Sequence, residues 1–114
     1  MIGYLSGPIT GNADYMKQFD WAARTLKRLG YDVINPAALR HALPLEELSY
    51  EAIMEIDIHL LSKADYLVQL LGWEKSKGAN RELGYALAAN KIVVPLEQLL
   101  KEGRENAYGY TGNI

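Results

Sequence analysis

Four near-continuous apolar runs, amphipathic helical stretches between them, and glycine-containing loops after the first and third runs predict an α/β fold. The expected architecture is a three-layer α/β/α sandwich around a parallel sheet. The runs are "IGYLS" from residue 2, "DVIN" from 32, "YLVQLL" from 66 and "IVVPL" from 92. Strands covered by helices on both faces read in this unbroken way, whereas half-exposed strands alternate apolar and polar residues. Strand-helix alternation brings right-handed crossovers and parallel neighbours. The expected strand order is 2-1-3-4, a flavodoxin-like sheet of four to five strands in which the tail supplies any fifth.

Each helix follows from spacing. Tyr15, Phe19, Ala22, Leu26 and Leu29 recur at intervals of four and three, giving one inward face, and Gly30 is placed to end that helix. A second helix is expected over residues 46 to 63, with Ile53, Ile56, Leu60 and Leu61 inward. The third starts near Gly78, carries Leu83, Ala86 and Leu87, and closes at Asn90. A short last helix is expected around "LEQLLKEG". Residues 36 to 50 and the tail "ENAYGYTGNI" are the least regular stretches.

With 114 residues and 49% hydrophobic content, the chain is expected to form a single domain over residues 1–114. Net charge is −2 and the basic residues are scattered, which argues against a nucleic-acid polymer or a membrane surface as partner and for a small molecule. The absence of cysteine excludes disulfide and thiolate chemistry. No leader-like or long apolar span is evident, so a cytoplasmic location is expected. His41 and His59 lack metal-pair spacing and no acidic cluster resembles a calcium loop, so neither metal nor cofactor is expected.

Topology alone marks a site. In a sheet of this order the strand sequence reverses between strands 1 and 3, and ligands bind beyond their carboxyl ends. The loops there are "SGPITGN" and "GWEKSKGAN". In the first, Gly7 and Gly11 let backbone amides approach a ligand, or simply make a strand-to-helix turn. Dinucleotide and P-loop spacings are absent, which disfavours nucleoside triphosphate hydrolysis. In the second, Ser76 and Gly78 precede a helix bearing Glu82. A serine hydroxyl with free helix amides binds anions such as phosphate, with Lys75 and Lys77 adding charge; the same serine equally serves as an ordinary helix cap. Glu82 itself suits the electropositive start of a helix, or attacks a bound substrate. Asp57 lies four residues after Ile53 and three before Leu60, on the inward stripe. A carboxylate there needs a partner or a task, so it is either structurally paired or functional. Tyr4 reaches the crevice or packs as a core aromatic, and Trp73 stacks on a ring or packs against the body. Asp65, in the turn before strand 3, falls at the opposite end of the sheet and reads as structural.

Three segments carry a resemblance: "YLSGPITG", "IDIHLLSKADYLVQLL" and "SKGANRELGYALAANK". In order they resemble the nucleoside 2-deoxyribosyltransferase superfamily, which includes the 2'-deoxynucleoside 5'-monophosphate N-glycosidases, and most closely its short DUF4406 group. The Gly-x-x-x-Glu-Leu-Gly-x-Ala pattern from Gly78 to Ala86 is the most specific part. The resemblance implies that Glu82 is the nucleophile, that Asp57 handles the proton at the leaving base, and that Tyr4 orients the nucleophile. It further implies that Gly7, Ile9 and Thr10 contact substrate through the first loop. Six residues before the nucleophile, transferases acting on free nucleosides resemble one another in an aspartate and monophosphate glycosidases in a serine; this chain has Ser76. A serine donates to a phosphate that an aspartate would repel, so a 5'-monophosphate is favoured. The chain departs from the monophosphate enzymes it resembles at two places: Thr10 stands where they have arginine, and "NPAA" lacks a histidine found there.

The implied reaction is cleavage or transfer of an N-glycosidic bond through a covalent glycosyl-enzyme. The alternative is a non-catalytic module of the same fold that binds a nucleotide or a derivative; an assembly protein with a closed crevice is a third reading. Relatives form dimers or larger homo-oligomers whose sites a neighbour completes, a part the tail "YGYTGNI" is suited to play.

Overall fold

The computed structural model describes residues 1–103. The expected tail contributions, a fifth strand and completion of a neighbour's site, lie outside the described residues. Four parallel strands form one sheet in the order β2-β1-β3-β4, where β1 is Ile2–Ser6, β2 Asp32–Ile34, β3 Tyr66–Gln69 and β4 Ile92–Pro95. The two inner strands, β1 and β3, are nearly all buried, as their unbroken apolar runs require. Pro95 lacks an N–H to donate and accordingly lies on the edge strand β4.

Helix α1, Tyr15–Arg28, buries Phe19, Ala22, Ala23 and Leu26 against one sheet face. Leu29, expected on that face, is instead the C-terminal cap and 38% exposed, because the chain has already begun to turn. Gly30 makes the turn at φ +96°, a left-handed conformation that costs glycine little, while the Tyr31 N–H returns to Leu26 O at 3.1 Å.

Residues 36 to 50 are more regular than their composition indicated. Helix α2 spans Pro36–Ala42: Asn35 Oδ1 accepts from the Ala37 N–H at 3.0 Å, and Pro36 occupies the first turn, where its missing N–H costs nothing. A 3-10 turn, Leu45–Glu47, follows Pro44. Helix α3 is therefore shorter than expected, Tyr50–Ser62, opened by Ser49 Oγ accepting from the Ala52 N–H at 3.1 Å. Its fully buried stripe is Met54, Asp57 and Leu61, with Ile53, Ile56 and Leu60 half-buried beside it.

Helix α4, Lys77–Ala88, presents Ala79, Glu82 and Ala86 inward. Leu87, expected with them, is 62% exposed, one residue round the helix from Ala86. Asn90 closes the helix at φ +58°. Residues 96–103 form the last described helix, α5.

The layers separate cleanly. Leu5, Val68 and Val94 point to one face, packing with Phe19 and Leu26 of α1 and Leu96 and Leu99 of α5. Tyr4, Leu67 and Val93 point to the other, packing with Leu61 of α3 and Ala86 of α4. Period-two alternation along the strands sorts them. Each large apolar side chain buried this way contributes about 1.5–3 kcal/mol. None of the described helices is long and apolar enough to cross a membrane.

Candidate functional site

Parallel pairing puts Ser6 of β1 beside Gln69 of β3, so the loops that follow both strands leave the sheet at one edge. The first loop presses against β3. A Cβ on Gly7 would lie 2.9 Å from Leu70 Cβ, so only glycine fits that approach. The second runs through Gly72 and a 3-10 turn, Trp73–Lys75, to the start of α4.

Between these loops and α2 and α3 lies a cleft of about 370 Å³. Gly7, Ile9 and Thr10 line it from the first loop, Ser76 and Gly78 from the second, Asp57 from α3 and Glu82 from α4. Asp57 and Glu82 therefore border one cavity. Tyr4 lies beneath it, fully buried, and touches it through Glu82. Trp73 is not among the lining residues; its backbone carbonyl accepts from the Ser76 N–H at 3.0 Å and so shapes the loop. Ile53, Met54 and Tyr50 give the cleft an apolar wall, with Lys75 and Lys77 at its rim.

Glu82 owes its position to two periodicities. Alternation along β1 sends Tyr4 and Ser6 to the same sheet face, and helical spacing places Glu82 between Ala79 and Ala86 on the stripe that meets that face. The Tyr4 hydroxyl donates to Glu82 Oε2 and the Ser6 hydroxyl donates to Oε1 at 2.7 Å. Glu82 is 5% exposed. Burial pushes its carboxyl up to about 7, against the downward pull of the Tyr4 and Ser6 hydrogen bonds. Burial, and then the charge of Glu82, hold the Tyr4 phenol well above the ordinary tyrosine range. Tyr4 is thus a permanent donor to the carboxylate.

Asp57 is held differently. Arg40 Nη2 donates to its Oδ2 at 2.8 Å, while Oδ1 is buried and has no hydrogen-bond partner among the described residues. Burial raises the Asp57 carboxyl from its usual range and Arg40 opposes that shift. Ser76 caps α4, its Oγ accepting from the Ala79 N–H at 3.1 Å. Helix geometry leaves the amides of Lys77 and Gly78 at that terminus without intrahelical acceptors. Asp65 sits at the far end of the sheet, where its Oδ2 accepts from the Ile2 N–H at 2.8 Å.

Two members of this constellation escape a sequence reading. Ser6 is findable, because it follows Tyr4 by the strand period of two. Arg40 is not: it lies on α2, in a stretch without apolar periodicity, and reaches Asp57 only once α2 and α3 pack.

Among the described residues, no group of three or more His, Cys, Asp or Glu is arranged to hold a metal ion. The chemistry available is that of two acidic residues, one with neutral donors and one with a cation, at the wall of a partly apolar cleft.

A family model described as a domain of unknown function, DUF4406, matches residues 1–95. No curated protein matches the sequence. Among solved structures, the fold is similar to that of 2-deoxyribosyltransferase from the psychrotolerant bacterium Bacillus psychrosaccharolyticus, with a TM-score of 0.66 and 26% identity over 83% of this chain and 71% of that one. Both findings agree with the resemblance read from the sequence.

Proposed function

The chain belongs to the DUF4406 family, and on that premise we propose that it cleaves or transfers the N-glycosidic bond of a deoxynucleoside 5'-monophosphate through a covalent intermediate on Glu82. The observation that carries this reading is the Glu82 carboxyl, buried at the cleft between the Tyr4 and Ser6 hydroxyls, with Asp57 lining the same cavity. Likeness to a 2-deoxyribosyltransferase supports glycosyl transfer as the class of reaction.

In this mechanism a Glu82 oxygen attacks C1' of the sugar as the bond from C1' to the base nitrogen breaks. Positive charge builds on the sugar in that transition state, and the adjacent carboxylate stabilises it. The electron pair of the broken bond leaves on the base, and protonated Asp57 neutralises it by giving up its proton. Water then attacks C1' and frees Glu82, returning a proton to Asp57; a second base in place of water makes the reaction a transfer. Tyr4 and Ser6 hold Glu82 in line throughout.

The monophosphate part rests on Ser76, on Lys75 and Lys77 at the rim, and on the α4 amino terminus, all lining the cleft. Homo-oligomerisation remains the expectation of the superfamily resemblance, and sedimentation as a monomer at micromolar concentration would remove it.

The test is incubation with the common deoxynucleosides and their 5'-monophosphates, followed by chromatography for free base. Release that vanishes in Glu82→Gln is the expected result. The Asp57–Arg40 ion pair favours one other reading, a binding module in which Asp57 is committed to structure. Tight nucleotide binding by calorimetry with no base released over hours would select it.

A further inference from the structure

The guanidinium of Arg40 is fixed at two points. Nη1 donates to Pro36 O at 3.0 Å, one turn back in α2, and Nη2 donates to Asp57 Oδ2 at 2.8 Å, joining α2 to α3 across the cleft both residues line. The Arg40 side chain is 17% exposed and that of Asp57 3%. A carboxylate at that depth is unfavourable without a partner, and Arg40 is the cation that meets it. The contact is one-sided. Arginine presents enough donors to engage both oxygens of a carboxylate, yet Oδ1 is left buried and unpartnered among the described residues. A proton on the carboxyl lowers the desolvation cost, because the neutral form is less unfavourable to bury than the carboxylate.

We propose that Arg40 is a positioning residue for Asp57, gripping Oδ2 so that the carboxyl stays at the cleft wall and holding the carboxylate once its proton has gone to the leaving base. This rests on the glycosidic-bond reading above. The step balances: the bond from Glu82 to C1' forms as the bond from C1' to nitrogen breaks, the base keeps the electron pair, and the proton on Asp57 passes to the base. Asp57 is left as a carboxylate paired with Arg40. The incoming water restores the proton, its oxygen going to C1'. The charged and titratable groups nearest the pair are Glu82 and Tyr4, which sense both members, with Lys75 and Lys77 at the rim of the same cleft.

The test combines kinetics of base release with a carbon-13 NMR titration of the Asp57 carboxyl, assigned by its loss in Asp57→Asn. Arg40→Gln is expected to lower kcat at least tenfold with little change in KM and to move the Asp57 titration to higher pH. Arg40→Lys keeps the charge, so it is expected to restore most of the titration but not the rate. The double variant with Asp57→Asn is expected to be no slower than Asp57→Asn alone, because Arg40 acts through that carboxyl. Thermal melts of both arginine variants separate misfolding from the proposed effect. Full kcat with an unmoved Asp57 titration in Arg40→Gln, while Glu82→Gln is inactive and Asp57→Asn is slowed, overturns the Arg40 proposal and leaves the functional reading standing. If the wild-type protein releases no base from any substrate, the functional reading fails and the role of Arg40 in it fails with it.

Discussion

The Ser6 hydroxyl donates to Glu82 Oε1 at 2.7 Å across 76 residues of chain, while Tyr4 takes Oε2 from the same strand. Both donors are neutral and both favour the charged carboxylate, yet burial outweighs them and lifts Glu82 to about 7. A nucleophile must be ionised, so kcat/KM for base release is expected to rise with pH through about 7. Tyr4→Phe removes a bond that lowers the carboxyl, so that limb should move to higher pH, with a roughly tenfold or greater loss of rate at neutral pH. Ser6→Ala should act in the same direction. A pH profile of kcat/KM for the three proteins measures this; coincident limbs would exclude Glu82 as the ionising group.

The same burial has a cost in stability. Glu82 titrates near 4.5 when unfolded and near 7 when folded, so between those values the folded state binds more protons and stability falls as pH rises. At about 1.4 kcal/mol per unit, the shift makes the ionised group unfavourable by about 3 kcal/mol above pH 7. Glu82→Gln is neutral at every pH and can still meet Tyr4 and Ser6 through its amide. Its melting temperature should therefore exceed that of the wild type by about 5 °C or more at pH 8.5 and by much less at pH 5. Calorimetric melts at the two pH values are the measurement, and an equal difference at both would contradict the assignment.

The fold was legible because the four apolar runs mark strands without reference to anything distant, and their alternation with helices prescribes a parallel sheet. Glu82 was legible from its place on a helix after a polar loop. On the inward face of α3, Asp57 and Leu61 lie where their spacing puts them, whereas Met54 is buried more deeply than the expected Ile53, Ile56 and Leu60, since an apolar count does not say which of several neighbouring side chains packing covers. Helix α2 was missed because its signals are a cap at Asn35 and a proline at its start, not periodicity. Arg40 was missed with it. A side chain whose role depends on how two helices dock leaves no trace in local spacing.

Ser76 is where the proposed monophosphate preference can be tested. Ser76 lines the cleft beside two lysines and the amino terminus of α4, a setting that attracts a phosphate. An aspartate there can still cap the helix but repels that anion. Ser76→Asp is expected to lower kcat/KM for deoxynucleoside monophosphates by about tenfold or more, roughly 1.4 kcal/mol, while sparing or improving free deoxynucleosides. Parallel assays on a nucleoside and its monophosphate read the ratio directly. An unchanged ratio would place the phosphate elsewhere.

Two glycines should respond oppositely to the same added methyl group. At Gly7 the new Cβ would sit 2.9 Å from Leu70 Cβ and 3.4 Å from its Cγ. Leu70 cannot retreat, because it is fully buried and its N–H donates to Ser6 O at 2.8 Å, tying β1 to β3 at that point. The first loop must move instead, carrying Ile9 and Thr10 away from the cleft. Gly7→Ala is expected to cost about 1–3 kcal/mol of stability, the usual range for overpacking, and to raise KM in whichever assay detects turnover. At Gly84, within α4, an added Cβ meets nothing within 4 Å among the described residues. There alanine removes only the entropic penalty of glycine in a helix, so Gly84→Ala should stabilise by about 1 kcal/mol. Urea unfolding of both variants tests the pair. Destabilisation at Gly84 would mean that a surface absent from the isolated chain covers α4, and sedimentation of that variant beside the wild type would then show whether the surface belongs to a second copy.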